Sequence, residues 1–169
     1  MIAISFNDKY TWTYYNAIGL IRDEEKDFKD AIWAFSKSLA LYPWGPTHQN
    51  RAISETTMGD YDAAIKDFTI AINTKPHKPS NTVFEKMYGE IPYFLRAKAE
   101  ILGGYFKAAI ADLDIVINLK PDYVLAYNAR GEAKNKLGDP AGACSDWQIA
   151  NKMGNEAAKK NLDKYCSKQ

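Results

Sequence analysis

Four stretches of the chain share one pattern of small, apolar and polar positions. Small or apolar residues recur at helical spacing in each stretch, as Ala31, Phe35 and Leu39 do in the first. Such spacing predicts an amphipathic helix. The stretches run from Lys26 to Pro43, from Gly59 to Pro76, from Gly104 to Pro121 and from Gly138 to Asn155. Successive copies begin 33, 45 and 34 residues apart, so the chain contains an internal repeat with one insertion of about 11 residues.

A second helix is predicted before each copy, so that each repeat is a pair of helices. Glycine turns divide three pairs, at Gly59, Gly103-Gly104 and Gly138, while Lys26 precedes Asp27 at the same point of the first pair. Prolines end the second helix in three repeats. The predicted repeats span about 12–44, 45–77, 90–123 and 124–155, with an insertion over 77–89 that carries a capping box and predicts a short extra helix.

The C-terminal residues 155–166 predict one further amphipathic helix that caps the last repeat. If this helix is antiparallel to the one before it, facing residues have numbers that add up to about 309, and Cys144 and Cys166 satisfy this condition. The two cysteines are therefore predicted to be neighbours. We expect them to be thiols in a reducing cytoplasm, whereas under oxidising conditions a disulfide would stabilise the cap by about 3 kcal/mol.

The repeats resemble the tetratricopeptide repeat family. Each contains an aromatic residue, Leu-Gly or a substitute, a Gly-Asp-Tyr-like turn, then Ala, Phe, Ala and a closing Pro, and the resemblance covers about 12–155. Arg51-Ala52 and Arg96-Ala97 replace the Leu-Gly pair, and Leu113 replaces the second aromatic residue. The resemblance implies an all-α fold, a right-handed α-solenoid of four helix pairs plus a capping helix, in a single domain over 1–169.

The same resemblance implies a concave wall lined by the first helix of each pair, where a partner would bind. Amide groups on this wall suit a peptide backbone, and its apolar residues suit side chains. The repeat spacing places on the wall Asn16, Leu20 and Asp23, then Gln49, Ile53 and Thr56, then Phe94, Lys98 and Ile101, then Asn128, Glu132 and Asn135. Phe94 and Lys98 are expected to contribute most. Chaperone C-termini are not expected as partners, because Asn16, Leu20 and Ile91 stand where the family's clamp has Lys, Asn and Lys.

Composition and motifs then limit the function. The 169 residues carry a net charge of +1, which gives no overall attraction to nucleic acid or to anionic membranes. His48 and His77 are not within zinc-ligand spacing of the cysteines, and no phosphate-binding loop or nucleophile elbow occurs. We therefore predict no enzyme, no metal site and no cofactor. Cys144 as a nucleophile is disfavoured against a small buried residue.

The sequence thus favours a protein–protein interaction module or scaffold that binds a peptide or partner protein in the groove, as a monomer or weak homodimer. A helical-repeat nucleic-acid binder or a regulatory subunit of an enzyme is the alternative. The N-terminus lacks a signal-peptide pattern and no apolar run approaches a membrane span of about 18 residues. The predicted compartment is therefore the cytoplasm, without membrane contact.

Overall fold

The computed structural model describes residues 10–74 and 89–166, and within these ranges the regular structure is helical. The predicted insertion over 77–89 lies outside the described residues except for Gly89. The helices are α1 (Thr11–Glu24), α2 (Phe28–Leu41), α3 (Gly45–Met58), α4 (Tyr61–Asn73), α5 (Glu90–Leu102), α6 (Phe106–Leu119), α7 (Val124–Leu137), α8 (Pro140–Lys152) and α9 (Glu156–Tyr165). Four pairs followed by a single helix confirm the predicted fold class.

The helices form two compact units, α1–α4 and α5–α9. Inside each unit, every helix packs against the next one in the chain. One large residue per pair fills the space between the helices: Phe35, Phe68, Leu113 and Trp147 are at most 1% exposed. The repeat register predicts burial of all four, because they occupy one position of successive repeats, and the structure confirms it. That the whole chain forms one domain stays a prediction.

A short polar turn separates the two helices of each pair. Asp27, Asp60 and Asp139 begin the second helices, and the carboxylate of each accepts a hydrogen bond from the backbone N–H three residues on. This bond satisfies one of the free amide donors at a helix start. Gly138 ends α7 with φ 91°, in the left-handed region that favours glycine. Lys26 adopts φ 62° at the turn of the first pair, where the sequence has no glycine.

The first and second helices of a pair approach closely at one repeat position, which is occupied by Gly19, Ala52, Ala97 and Gly131. A Cβ atom on Gly131 would lie 2.6 Å from Nε1 of Trp147, and one on Gly19 would overlap the ring of Phe35. Phe35 and Trp147, as they are placed here, therefore leave room only for glycine at this position. In the second and third pairs alanine occupies the position and is fully buried, although the second pair also has a phenylalanine, Phe68.

Ion pairs that the sequence reading missed join the two helices of three pairs. Arg51 binds Asp67 through two hydrogen bonds of 2.6 and 2.9 Å, Arg96 binds Asp112 in the same way, and Arg130 binds Asp146. Two parallel bonds between a guanidinium and a carboxylate fix both distance and orientation. Arg51 and Arg96 had been noted only as substitutes within the repeat pattern. The partners are 16 residues apart each time, a spacing visible in the sequence.

The cap confirms the prediction that the two cysteines are neighbours. Cys144 and Cys166 are neighbours, with Cα atoms 5.9 Å apart, and Tyr165 stacks on Trp147 at 5.6 Å between ring centroids. This is the antiparallel arrangement of α8 and α9 that was predicted. A disulfide joins the two sulfur atoms in this structure, which is the state expected under oxidising conditions. That the two cysteines are thiols in a reducing cytoplasm stays a prediction.

Across the described ranges, no helix is both long enough and apolar enough to cross a membrane.

Candidate peptide-binding groove

A cavity of about 290 Å³ lies on the α5–α9 unit, between the first helices of its two pairs. Its walls come from α5 and α7, whose side chains at three- and four-residue spacing lie on one face of each helix. The lining residues are Phe94, Lys98, Ile101, Leu102, Leu125, Asn128, Ala129 and Glu132. Five of the twelve residues predicted on the wall therefore line this cavity, namely Phe94, Lys98, Ile101, Asn128 and Glu132. We call it the α5–α7 groove.

Phe94 forms part of the apolar floor and is held from one side. Its ring meets Tyr123 edge to face, with centroids 5.0 Å apart, and Tyr123 is the residue that starts α7. Lys120 lies over the Tyr123 ring at 5.4 Å and pairs with Glu90 at 3.4 Å. Burial and the Glu90 carboxylate raise the pKa of Tyr123, with Lys120 opposing them, so the hydroxyl stays neutral at physiological pH. These contacts fix the Phe94 ring before any partner binds.

The polar groups of the groove differ in whether they already form hydrogen bonds or ion pairs within the protein. Lys98 and Glu132 occupy the same repeat position on facing helices. Glu132 accepts a hydrogen bond of 2.7 Å from the side-chain amide of Asn128. Lys98 is exposed and makes no ion pair or hydrogen bond with any residue of the described ranges. The groove thus offers one cation without a counter-ion beside an apolar floor, and a carboxylate that is partly satisfied.

The other seven predicted wall residues do not line it: six are on α1 and α3 of the α1–α4 unit, namely Asn16, Leu20, Asp23, Gln49, Ile53 and Thr56, and Asn135 is on α7. Part of this wall is engaged in bonds between helices. Thr47 donates a hydrogen bond of 2.9 Å to Oδ1 of Asn16, and Ser54 donates one of 2.6 Å to Asp23. Leu20 is 44% exposed. The amide and carboxylate groups that were expected to face a partner here also hold α1 to α3.

The sequence reading did not single out Asn161, which lies on α9. Its side-chain amide donates a hydrogen bond of 3.3 Å to Oδ1 of Asn128, which lines the groove. The two residues are 33 positions apart, one repeat period, and this spacing was the signal that could have identified Asn161. The helix that had been predicted only as a cap therefore reaches a groove side chain.

Two buried carboxyl groups lie beside the Arg–Asp pairs, away from the groove. Burial and the neighbouring Asp67 raise the pKa of Glu55 to about 7, although Arg51 opposes them. Glu100 is raised to about 7 by burial and Asp112, against Arg96. Oε2 of each glutamate has no hydrogen-bond partner in the part of the chain that the structure describes. Each of these two side chains is therefore about half protonated at neutral pH. Their role is to pack between helices.

Asp67 shows the opposite behaviour in the same cluster. Burial acts to raise its pKa, but hydrogen bonds from His48 and Arg51 outweigh burial and hold the pKa below its usual value. The side-chain hydrogen bond to Asp67 in turn raises the pKa of Arg51. The Arg51–Asp67 pair therefore stays ionised over the physiological range, while the adjacent Glu55 titrates.

Comparison with solved structures shows the fold. The crystal structure of MamA protein superposes with a TM-score of 0.72 at 22% identity, covering 86% of this chain and 74% of MamA. The first TPR of Spaghetti (RPAP3), bound to the HSP90 peptide SRMEEVD, gives 0.61 at 23% identity, covering 72% of this chain and 89% of that domain. The second TPR domain of human RPAP3, in complex with the HSP70 peptide SGPTIEEVD, gives 0.60 at 24% identity, covering 72% and 93%.

These likenesses show that the chain has the tetratricopeptide-repeat fold, as the repeats had indicated. No protein-family model matches the sequence, and the search of curated proteins gave no match.

Proposed function

We propose that this chain is an interaction module without catalytic activity, and that it binds a segment of a partner protein in the α5–α7 groove. One observation carries the proposal: a cavity of about 290 Å³ combines an apolar floor with a lysine that has no counter-ion among the described residues. Sites for drug-sized ligands occupy about 300 to 1,000 Å³. This cavity is at the lower limit and suits one or two side chains of a peptide.

The apolar residues of the groove supply the anchor. Phe94 and Ile101 are half-buried and pack on the core of the unit, while Leu102 and Leu125 are 55% and 53% exposed. An apolar side chain of a partner would cover these surfaces and remove them from water, which is favourable by about 25 cal/mol per Å² of apolar area. Rigid aromatic residues at the centre of an interface are frequent hot spots.

Lys98 favours an acidic residue next to the apolar side chain of the bound peptide. A carboxylate on the bound peptide would pair with the Lys98 ammonium, whereas a second cation there would be repelled. We therefore propose a segment in which a large apolar residue adjoins Asp or Glu. The peptides bound to the two RPAP3 domains, SRMEEVD and SGPTIEEVD, each have an apolar residue directly before two glutamates. A free terminal carboxylate is not required in our proposal, since Asn16, Leu20 and Ile91 replace the clamp residues.

The test is fluorescence anisotropy with labelled peptides and the full chain. The probes are SGPTIEEVD with an amidated C-terminus, chosen for its Ile-Glu-Glu segment and not as the natural partner, the same peptide with a free C-terminus, and the charge-reversed peptide SGPTIKKVK, also amidated. We expect the two acidic forms to bind within about twofold of each other and the basic form to bind at least about tenfold more weakly, because a like charge would face Lys98. Phe94→Ala together with Lys98→Ala should weaken binding at least about tenfold.

A matched control is Ile115→Ala together with Lys152→Ala, which removes one exposed apolar residue and one exposed cation from second helices of the same unit. It should bind like the unchanged protein. Equal affinity for the acidic and basic peptides, absence of binding by the acidic one, or equal losses in the two double variants would contradict the proposal.

The oligomeric state and the compartment stay proposals as well: a monomer or weak homodimer, in the cytoplasm. Cytoplasmic reductants keep most thiols reduced. Alkylation of intact cells followed by mass spectrometry should then label both Cys144 and Cys166, while a protein from an oxidising compartment would carry neither label.

Sedimentation velocity over a range of concentrations measures the oligomeric state.

A further inference from the structure

The last helix differs from a simple solvent-facing cap, because one of its side chains is hydrogen-bonded to Asn128, a residue that lines the groove. Asn161 on α9 stands one repeat period after Asn128, and its amide nitrogen donates to Oδ1 of Asn128. Asn128 in turn donates to Glu132. These side chains form a row of three polar groups along the groove, one bond passing to the next. The Oδ1 atom of Asn161 has no hydrogen-bond partner within the described ranges, so it can accept from a peptide N–H.

Apart from one covalent bond, α9 is attached by a few side-chain contacts, among them the stacking of Tyr165 on Trp147. The helix has 10 residues and only Ala158 among them is fully buried. Leu162 and Cys166 add partly buried contacts to the cluster around Trp147. Isolated helices shorter than about 12 residues are marginal in water. The Cys144–Cys166 disulfide joins the end of α9 to the beginning of α8, and thus holds the helix at the end opposite its N-cap, Asn155.

We propose that α9 is the third wall of the α5–α7 groove, with Asn161 as a peptide-binding residue that the Cys144–Cys166 disulfide holds in position. The proposal rests on the peptide-binding function proposed above and extends it, because affinity then depends on the redox state of the bridge. The occupant is the same segment, an apolar residue next to an acidic one, whose backbone runs past Asn128 and Asn161.

The redox step needs a dithiol reductant. Cys166 is partly exposed whereas Cys144 is buried, so a thiolate of the dithiol attacks Sγ of Cys166 and forms a mixed disulfide. Cys144 leaves as a thiolate and takes up a proton. The second thiol of the reductant then attacks the mixed disulfide and releases Cys166 as a thiol. Two electrons and two protons pass from the dithiol, which becomes a disulfide, to the two cysteines of the protein.

The first experiment needs no peptide. Hydrogen exchange and the side-chain amide resonances of Asn128 and Asn161 are measured on the full chain, oxidised and then reduced with dithiothreitol. We expect α9 amides to lose protection at least tenfold on reduction while α5 and α6 keep theirs, and the Asn128 amide signal to move to its position in Asn161→Ala. Cys166→Ser should reproduce the reduced state without a reductant. Unchanged protection of α9, or an unmoved Asn128 signal, overturns the proposal.

The second experiment measures the affinity for amidated SGPTIEEVD. Asn161→Ala should weaken binding by about fivefold, the size of one hydrogen bond of about 1 kcal/mol. The matched control, Asn151→Ala, removes an exposed asparagine from α8 and should change nothing. Reduction should weaken binding of the unchanged protein but add little to Asn161→Ala, because both act through the same side chain.

The outcomes separate this proposal from the one on which it rests. If the oxidised protein binds the peptide, and neither reduction nor Asn161→Ala weakens binding, the groove function stands and the role of α9 is overturned. If the oxidised protein does not bind the peptide at all, the groove function is wrong, and the role of Asn161 in peptide binding is overturned with it.

Discussion

The α1–α4 unit and the α5–α9 unit place different side chains at equivalent positions of the same repeat. On α1, Asn16 and Asp23 accept hydrogen bonds from Thr47 and Ser54 of α3. On α5, the equivalent positions carry Phe94 and Ile101, which line a cavity. One wall uses its polar groups to join helices, and the other leaves an apolar floor and an unpaired lysine for a partner. A repeat position alone therefore does not make a binding site.

Each unit has its own core, and the two cores are built from equivalent repeat positions. Each pair has one large buried residue at the same position. Each of the last three pairs also has an Arg–Asp ion pair whose partners are 16 residues apart in the sequence. Breaking such a buried pair leaves an uncompensated charge and is strongly destabilising. The comparison therefore predicts equal effects of core changes in the two units and unequal effects of changes on the walls.

The largest effect is expected from truncating the core at one repeat position in each unit. Phe68→Ala in α4 should lower the free energy of unfolding by about 3–5 kcal/mol and Leu113→Ala in α6 by about 2–5 kcal/mol, because both side chains are fully enclosed. Chemical denaturation followed by circular dichroism measures both values. Leu119→Ala, at a site that is 54% exposed, is the control. A loss below about 1 kcal/mol in either core variant would mean that the units do not share a register.

The buried glutamates predict a pH dependence that the units also share. Glu100 has a pKa of about 7 in the folded protein, against an ordinary value of 4.5. The folded state therefore holds a proton that the unfolded chain releases, and the contribution to stability is complete below about pH 4.5 and is lost as the pH rises through about 7. The loss amounts to up to about 3 kcal/mol for one such carboxyl group.

Glu100→Gln should remove this part of the pH dependence, so the variant gains stability relative to the unchanged protein between about pH 4.5 and pH 8. Denaturation curves at several pH values measure the difference. Glu24→Gln changes an exposed glutamate of α1 and serves as the control. If the curves of Glu100→Gln and Glu24→Gln run parallel, Glu100 is not the buried acid that the structure indicates.

A smaller effect is expected where the helices of a pair approach closely. Gly131→Ala should destabilise the protein by about 1–3 kcal/mol, because the new Cβ atom would lie 2.6 Å from Trp147 and force the indole to move. The reverse change at the equivalent position, Ala97→Gly, should cost about 1–2 kcal/mol, because it lowers helix propensity and removes a buried methyl group. Thermal unfolding compares the two. A stabilising Gly131→Ala would show that the pair can separate without cost.

The sequence predicted those features that depend on spacing along the chain. The four pairs, the core residues Phe35 and Trp147, and the closeness of Cys144 to Cys166 all follow from a helical period and a repeat length. Lys26 was recognised at the turn that has glycine elsewhere, and it adopts the left-handed conformation there. These properties are local or repeat with the chain, so a pattern of residue types determines them.

Other features depend on contacts that spacing does not specify. Whether Asn16 faces a partner or Thr47 depends on the side chain that the neighbouring helix presents. The oxidation state of the cysteines follows from a compartment, which composition does not determine. The Arg–Asp bridges and the bond between Asn128 and Asn161 had visible spacings of 16 and 33 residues, but their meaning required the distances.

The most direct test of the groove is chemical-shift mapping on the isotopically labelled full chain during titration with amidated SGPTIEEVD. The largest changes should fall on Phe94, Ile101 and Leu125, with smaller ones on Asn161, and the wall formed by Asn16 and Ile53 should stay unchanged. The α5–α7 groove would be contradicted by changes concentrated on α1 and α3, or on the second helices of the pairs.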